Sequence, residues 1–104
     1  MSDRDFGYRR EFKRLPCTLK GSHTASTGVS YAIQCKDISA KGAGLITDAP
    51  LQIDSQVKID LTTRKKLPLL LAGRVCWCKK VHDDNWHAGV MFNRQLPFEL
   101  ARII

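Results

Sequence analysis

The chain lacks any apolar run near the ~20 residues that a bilayer-spanning helix needs, and its start, Met1-Ser2-Asp3-Arg4-Asp5, has no apolar stretch of the secretory kind. Both absences point to the cytoplasm and away from membrane insertion. Internal repeats, low-complexity tracts and linkers rich in Pro, Gly or Ser are also missing, so 104 residues with 43% hydrophobic content read as one domain with one modest core. Cys17, Cys35, Cys76 and Cys78 are the only cysteines. Without a secretory signal they are expected to stay reduced thiols.

Little in the chain could perform covalent chemistry. No serine or cysteine nucleophile has a visible base partner, the carboxylates are scattered, and His23, His82 and His87 read as ordinary loop or strand residues. A zinc site from Cys76, Cys78, His82 and His87 has the right ligand types. The spacing argues against it, because Cys76-Trp77-Cys78 sits inside a strand-like run. The expectation is therefore no enzyme, no metal and no cofactor.

What the chain does have is positive charge: 17 Lys and Arg against 10 Asp and Glu, net +7. That balance raises the local concentration of anionic partners such as nucleotides, nucleic acids or acidic protein surfaces. Residues 1 to 13 form a polar, mostly charged arm in which Phe6, Tyr8 and Phe12 are too few to build a core. The arm is expected to stay mobile until something docks it.

From residue 14 to 104 the pattern is that of a barrel or sandwich, with short alternating runs separated by turn residues. In Val57-Lys58-Ile59-Asp60-Leu61-Thr62 the three aliphatic residues share one face. Trp86, Ala88, Val90 and Phe92 share another. With further runs near 15–21, 30–37, 43–48 and 68–80, the count is six strands. Gly42 and Gly44, Pro50 and the Asp83-Asp84-Asn85 cluster read as turns. In the tail Gln95 to Ile104, with Pro97 near its start, Leu96, Leu100, Ile103 and Ile104 lie at helical spacing and predict one short closing helix.

Two features suit a particular ligand chemistry. In Arg9-Arg10-Glu11-Phe12-Lys13-Arg14, three guanidinium groups lie close along the arm. Guanidinium forms bidentate hydrogen bonds with phosphate and with the guanine edge, and stacks on purine faces. A solvated basic arm would look the same. In Asp37-Ile38-Ser39-Ala40-Lys41-Gly42 a strand end runs into a turn. There Asp37 could accept from a guanine N–H or orient an arginine, Ser39 could hydrogen-bond a phosphate or base edge, and Gly42 permits a tight turn with close backbone approach. An ordinary turn between strands has the same composition.

The two features occur in this order about 20 residues apart, and together they resemble the PilZ family of cyclic di-GMP receptors. That family's R-x-x-x-R is matched by Arg10 and Arg14, and its D/N-x-S-x-x-G by Asp37, Ser39 and Gly42. Ala88-Gly89-Val90-Met91-Phe92 looks like the family's glycine-containing last strand, and Gly73-Arg74-Val75-Cys76-Trp77 like the strand before it. The resemblance covers roughly residues 8 to 93.

It implies an all-β, six-stranded antiparallel barrel with a flexible arm that folds across its mouth around the ligand. It also implies a ligand-binding set of Arg9, Arg10, Arg14, Asp37, Ser39 and Gly42, with Arg9 stacking on a second ligand molecule. Such a receptor changes conformation on binding and signals to a separate, unidentified protein, with motility, biofilm or virulence as the usual outputs. The alternatives are a basic barrel that binds single-stranded nucleic acid and a PilZ-like adaptor that binds no nucleotide. Trp77, Trp86 and Phe92 read as core or hairpin residues rather than stacking platforms, and Arg64-Lys65-Lys66 as a solvated turn.

Overall fold

The computed structural model describes residues 13–82, 84–97 and 104. Six strands follow one another: β1 (Leu15–Thr24), β2 (Ser30–Ile38), β3 (Gly42–Thr47), β4 (Gln56–Thr62), β5 (Pro68–His82) and β6 (Asn85–Phe92). They close into an antiparallel barrel in the order β1-β2-β3-β6-β5-β4. Closure pairs edges that an open sheet would leave exposed, which matters for a chain this short.

Alternation drives most of the ring. In β4, Val57, Ile59 and Leu61 are buried while the residues between them are exposed. These meet Leu19, Ile33, Cys35, Ile38, Leu45, Leu71, Val75, Ala88, Val90 and Phe92 in one core, where each large aliphatic side chain taken out of water contributes roughly 1.5–3 kcal/mol. The sequence reading placed all six strands. It placed Gly42 and Gly44 in a turn, however, and they belong to β3. Gly44 lies opposite Asp37 of β2 on one side and Gly89 of β6 on the other.

The expected closing helix does not begin at residues 95–97. There the Leu96 N–H donates to the Ala40 carbonyl. Residues 98–103 lie outside the described residues, as does most of the arm. Among the described residues no helix is long and apolar enough to cross a membrane.

Among the buried polar side chains of the described residues, His23 stands apart. His23 of β1 is 1% exposed, and neither ring nitrogen has a hydrogen-bond partner among the described residues. Its ring stacks on Tyr31 with centroids 5.1 Å apart. Burial disfavours the charged imidazolium and pushes the His23 pKa below its ordinary 6.5. Below pH 6.5 the unfolded chain therefore binds a proton that the folded barrel refuses, so stability is full above about 6.5 and falls as the pH drops beneath it. We expect His23→Phe, which keeps the ring stack, to raise the denaturation midpoint and flatten that acid-side decline. Urea titrations from pH 5 to 8 check this, and an unchanged slope below pH 6.5 would remove His23 as its source.

Candidate functional site

The site begins at the end of β2. Strict alternation after the buried Ile33 and Cys35 would turn Asp37 into the barrel. A register shift between Cys35 and Asp37 in the β2–β3 ladder instead leaves Asp37 half-buried on the outer face and Ile38 fully buried. A matching irregularity lies between Pro16 and Leu19 in β1. Cys17 and Cys35 sit in this distorted region, their sulfurs 3.7 Å apart, and the Cys35 thiol donates to the Asp37 carbonyl at 3.2 Å. Burial pushes the pKa of both thiols up.

Arg14, immediately before β1, reaches this carboxylate. Its Nε and Nη2 both donate to Asp37 Oδ1, at 3.1 and 2.7 Å. The two side chains are 54% and 29% exposed, so the pair contributes at most about 1 kcal/mol to folding. Its value is positional, since it joins residues 23 apart in sequence and ties the root of the arm to the strand end.

The next residues make a tight turn into β3. The Ser39 N–H donates to the Gly42 carbonyl at 2.8 Å. The Ser39 hydroxyl oxygen accepts from the N–H groups of Lys41 and Gly42, each at 3.2 Å. Ser39 is 3% exposed, so its hydroxyl faces the turn. Gly42 is required by crowding, because a side chain there would strike the Val90 carbonyl of β6. The chain leaving β6 clamps the same turn, with Phe92 N–H on the Lys41 carbonyl at 2.7 Å and Leu96 N–H on the Ala40 carbonyl at 2.8 Å.

Across the outer surface, direct strand pairing lines up Asp37, Gly44, Gly89 and Trp77 in one lateral row over β2, β3, β6 and β5. The middle two have no side chain, so the flanking two lean over them. A Cβ on Gly44 would stand 2.9 Å from Asp37 Oδ1, and one on Gly89 would collide with the Trp77 indole. With strands about 4.8 Å apart, this makes a glycine floor that is itself buried, overlaid by a carboxylate held to a guanidinium and by an indole. The surface therefore presents the exposed indole and the half-buried carboxylate rather than bare backbone.

Comparison with known proteins identifies the family. The model of the PilZ domain matches residues 8–104. The chain belongs to the PilZ domain family. Among solved structures it is similar to the PilZ domain of YcgR from Escherichia coli, a structure with c-di-GMP, at TM-score 0.62 and 15% identity, covering 89% of this chain and 82% of that one. It is also similar to the Bacillus subtilis inhibitor of motility MotI/DgrA, at TM-score 0.68 and 10% identity, covering 86% of this chain but only 44% of that one. The chain thus spans less than half of the latter. No curated protein sequence matches.

Of the residues singled out from sequence, the PilZ fold brings Arg14, Asp37, Ser39 and Gly42 to one end of β2 and β3. Arg9 and Arg10 lie outside the described residues. Of Trp77, Trp86 and Phe92, which read from sequence as core or hairpin residues, Trp77 is 44% exposed and lies outside the core. A register shift between Val75 and Trp77 in the β5–β6 ladder turns it outward next to the exposed Cys76. Trp86 is half-buried at the β5–β6 hairpin, 6.0 Å beneath the Lys80 ammonium, and Phe92 is core. Gly44, Gly89 and Trp77 were missed as a group. Glycine inside an otherwise β-type run was the available signal, since it marks a close approach.

The indole's position depends on Gly89 being bare. In a Trp86→Phe background, where Trp77 is the only indole, we expect Gly89→Ala to shift the fluorescence maximum and quenching while far-UV dichroism keeps the barrel signature. Unaltered emission would mean that the indole does not rest on Gly89 in solution.

Proposed function

We propose that this PilZ domain is a cytoplasmic receptor for cyclic di-GMP, without catalytic activity of its own, that reports ligand binding to a separate protein. The observation that carries the reading is the Arg14–Asp37 contact at the edge of the glycine floor. It unites the two halves of the motif on one surface whose shape and donors fit guanine.

In this reading a guanine base stacks on the exposed face of the Trp77 indole that covers Gly89, its N–H edge toward the Asp37 carboxylate, a stacking contact of about 1–3 kcal/mol. The bound base shares Asp37 with Arg14 and frees part of that guanidinium for a phosphate oxygen. Arg10 joins Arg14 at the phosphates, and Arg9 stacks on a second cyclic di-GMP, giving a self-intercalated pair. Ser39 and Gly42 act by holding the turn that presents Asp37 and the backbone around it. Ordering of the arm is the conformational change, because the entropy of fixing it is met only when ligand bridges arm and barrel. The PilZ–c-di-GMP structure of YcgR and the fold shared with an inhibitor of motility support a signalling role, with motility, biofilm or virulence control as its field.

Calorimetry with cyclic di-GMP tests this directly. We expect saturable binding at micromolar concentration or tighter, with two nucleotides per protein. Arg14→Ala and Asp37→Ala should each weaken it by about tenfold or more, a difference of about 1.4 kcal/mol. A stoichiometry of one would remove the role given to Arg9. No heat with the dinucleotide, together with salt-sensitive binding of single-stranded DNA, would overturn the reading in favour of the nucleic-acid alternative.

A further inference from the structure

The ring closes unevenly. β1 pairs with β4 only from Gly21 opposite Leu61 to Thr24 opposite Lys58. Continued one step at a time, the ladder would set Lys20 against Thr62 and Leu19 against Thr63, but the strands part there. Between them lies a cavity of about 560 Å³ lined by Pro16–Lys20 on one side and by Thr62, Thr63, Arg64 and Lys66 on the other, with Ile104 also at its wall.

Three properties of this seam define what fits it. It is a strand edge: Pro16, Leu19 and Lys20 are paired with β2 on their other side, while among the described residues no strand covers them here. An uncovered edge offers main-chain donors and acceptors to another strand. Proline, which has no N–H to contribute, is at home on such an edge. The lining is basic, too. Lys20, Arg64 and Lys66 are all exposed, no carboxylate lines the cavity among the described residues, and none of the three has an ion-pair partner there. Lys66 even occupies a left-handed position, φ 66°, in the β4–β5 turn, where glycine or asparagine is favoured. Finally, the floor is apolar, formed by the buried Leu19 with Cys17 and Ile104.

We propose that this seam docks an extended acidic segment of a partner protein, which adds as a strand beside the first half of β1. Main-chain hydrogen bonds supply affinity in this mode and alternate side chains supply specificity. Here apolar side chains of the segment point to the Leu19 floor, and acidic ones point to Lys20, Arg64 and Lys66. Five residues, Pro16 to Lys20, span about 16 Å of strand, which sets the length of the docked segment. Nucleic acid matches the charge but cannot pair with a strand edge.

The seam also lies away from the Asp37–Trp77 surface. In the ring order the β1–β4 boundary lies diametrically across from the β3–β6 boundary. Only in supposing that nucleotide binding alters this docking, through Arg14 two residues before Pro16, does the inference rest on the proposed function. The docking site itself stands without it.

The test uses the full chain and fluorescence anisotropy with a labelled peptide alternating glutamate and valine. Controls are the same peptide interrupted by a central proline, a lysine–valine counterpart, oligo-dT and anionic phosphatidylglycerol vesicles. We expect saturable binding of the acidic strand peptide, weakened about tenfold or more by the central proline and by the combined Lys20→Ser, Arg64→Ser and Lys66→Ser variant. All three substituted residues are exposed, so the barrel should survive, and circular dichroism checks that it does. A wild-type chain that binds the peptide but not cyclic di-GMP would sink the receptor reading alone. Equal binding of the proline-interrupted peptide, displacement by oligo-dT or vesicles at equal charge, indifference to the triple substitution, or no peptide binding at all would each overturn the docking site.

Discussion

Two β-bulges decide what this barrel can present to its surroundings. A six-stranded ring of this size alternates core and solvent residues, and at the Asp37 and Trp77 positions that rule would bury a carboxylate and an indole. The irregularity between Cys35 and Asp37 and the one between Val75 and Trp77 shift the alternation by one residue. Both side chains then stand outside, at opposite ends of one lateral row, while the ladder resumes beyond them. Bulges beside functional sites commonly re-aim side chains in this way. Here the outcome depends equally on Gly44 and Gly89, since any side chain between the two would fill the space over which they lean.

The forces holding the site are of unequal strength. The Ser39–Gly42 turn is buried, hydrogen-bonded within itself and clamped by Phe92 and Leu96. Losing such a buried partner costs about 1–3 kcal/mol, so this part is rigid. The Arg14–Asp37 pair is exposed and adds at most about 1 kcal/mol. A ligand that offers Arg14 a phosphate and Asp37 a donor therefore displaces a weak contact while leaving the strand end fixed.

Much of the fold was legible in the sequence because its physical cause is local. Period-two alternation in Val57–Leu61 and Ala88–Phe92, bounded by turn residues, is enough to mark strands. The motif positions Asp37, Ser39 and Gly42 were legible as a turn with chemistry attached. The bulges were not, because a register shift is set by which residues face each other across strands far apart in the chain. Hence Trp77 reads from sequence as a core or hairpin residue, and Gly44 as a turn residue with Gly42. Cys76 and Cys78, which could suggest a metal, also divide in the fold: Cys76 is exposed, whereas Cys78 packs partly against the core and accepts the Leu51 N–H at 3.4 Å.

The start of β1 links the two surfaces on which function can act. Arg14 contacts the strand end that edges the glycine floor, and Pro16, two residues later, already lines the seam with β4. Between them stands only Leu15, which packs against the core. A stretch this short and extended cannot absorb a change at one end without passing it on, since an extended residue spans only about 3.3 Å. Tightening Arg14 onto a ligand and seating a strand along Pro16–Lys20 both demand a fixed path for the same segment. Each event lowers the entropy that the other must lose. Coupling of that kind is reciprocal by thermodynamic necessity, so a partner strand in the seam would raise affinity for a ligand on the Asp37–Trp77 surface by the same factor that the ligand raises affinity for the partner.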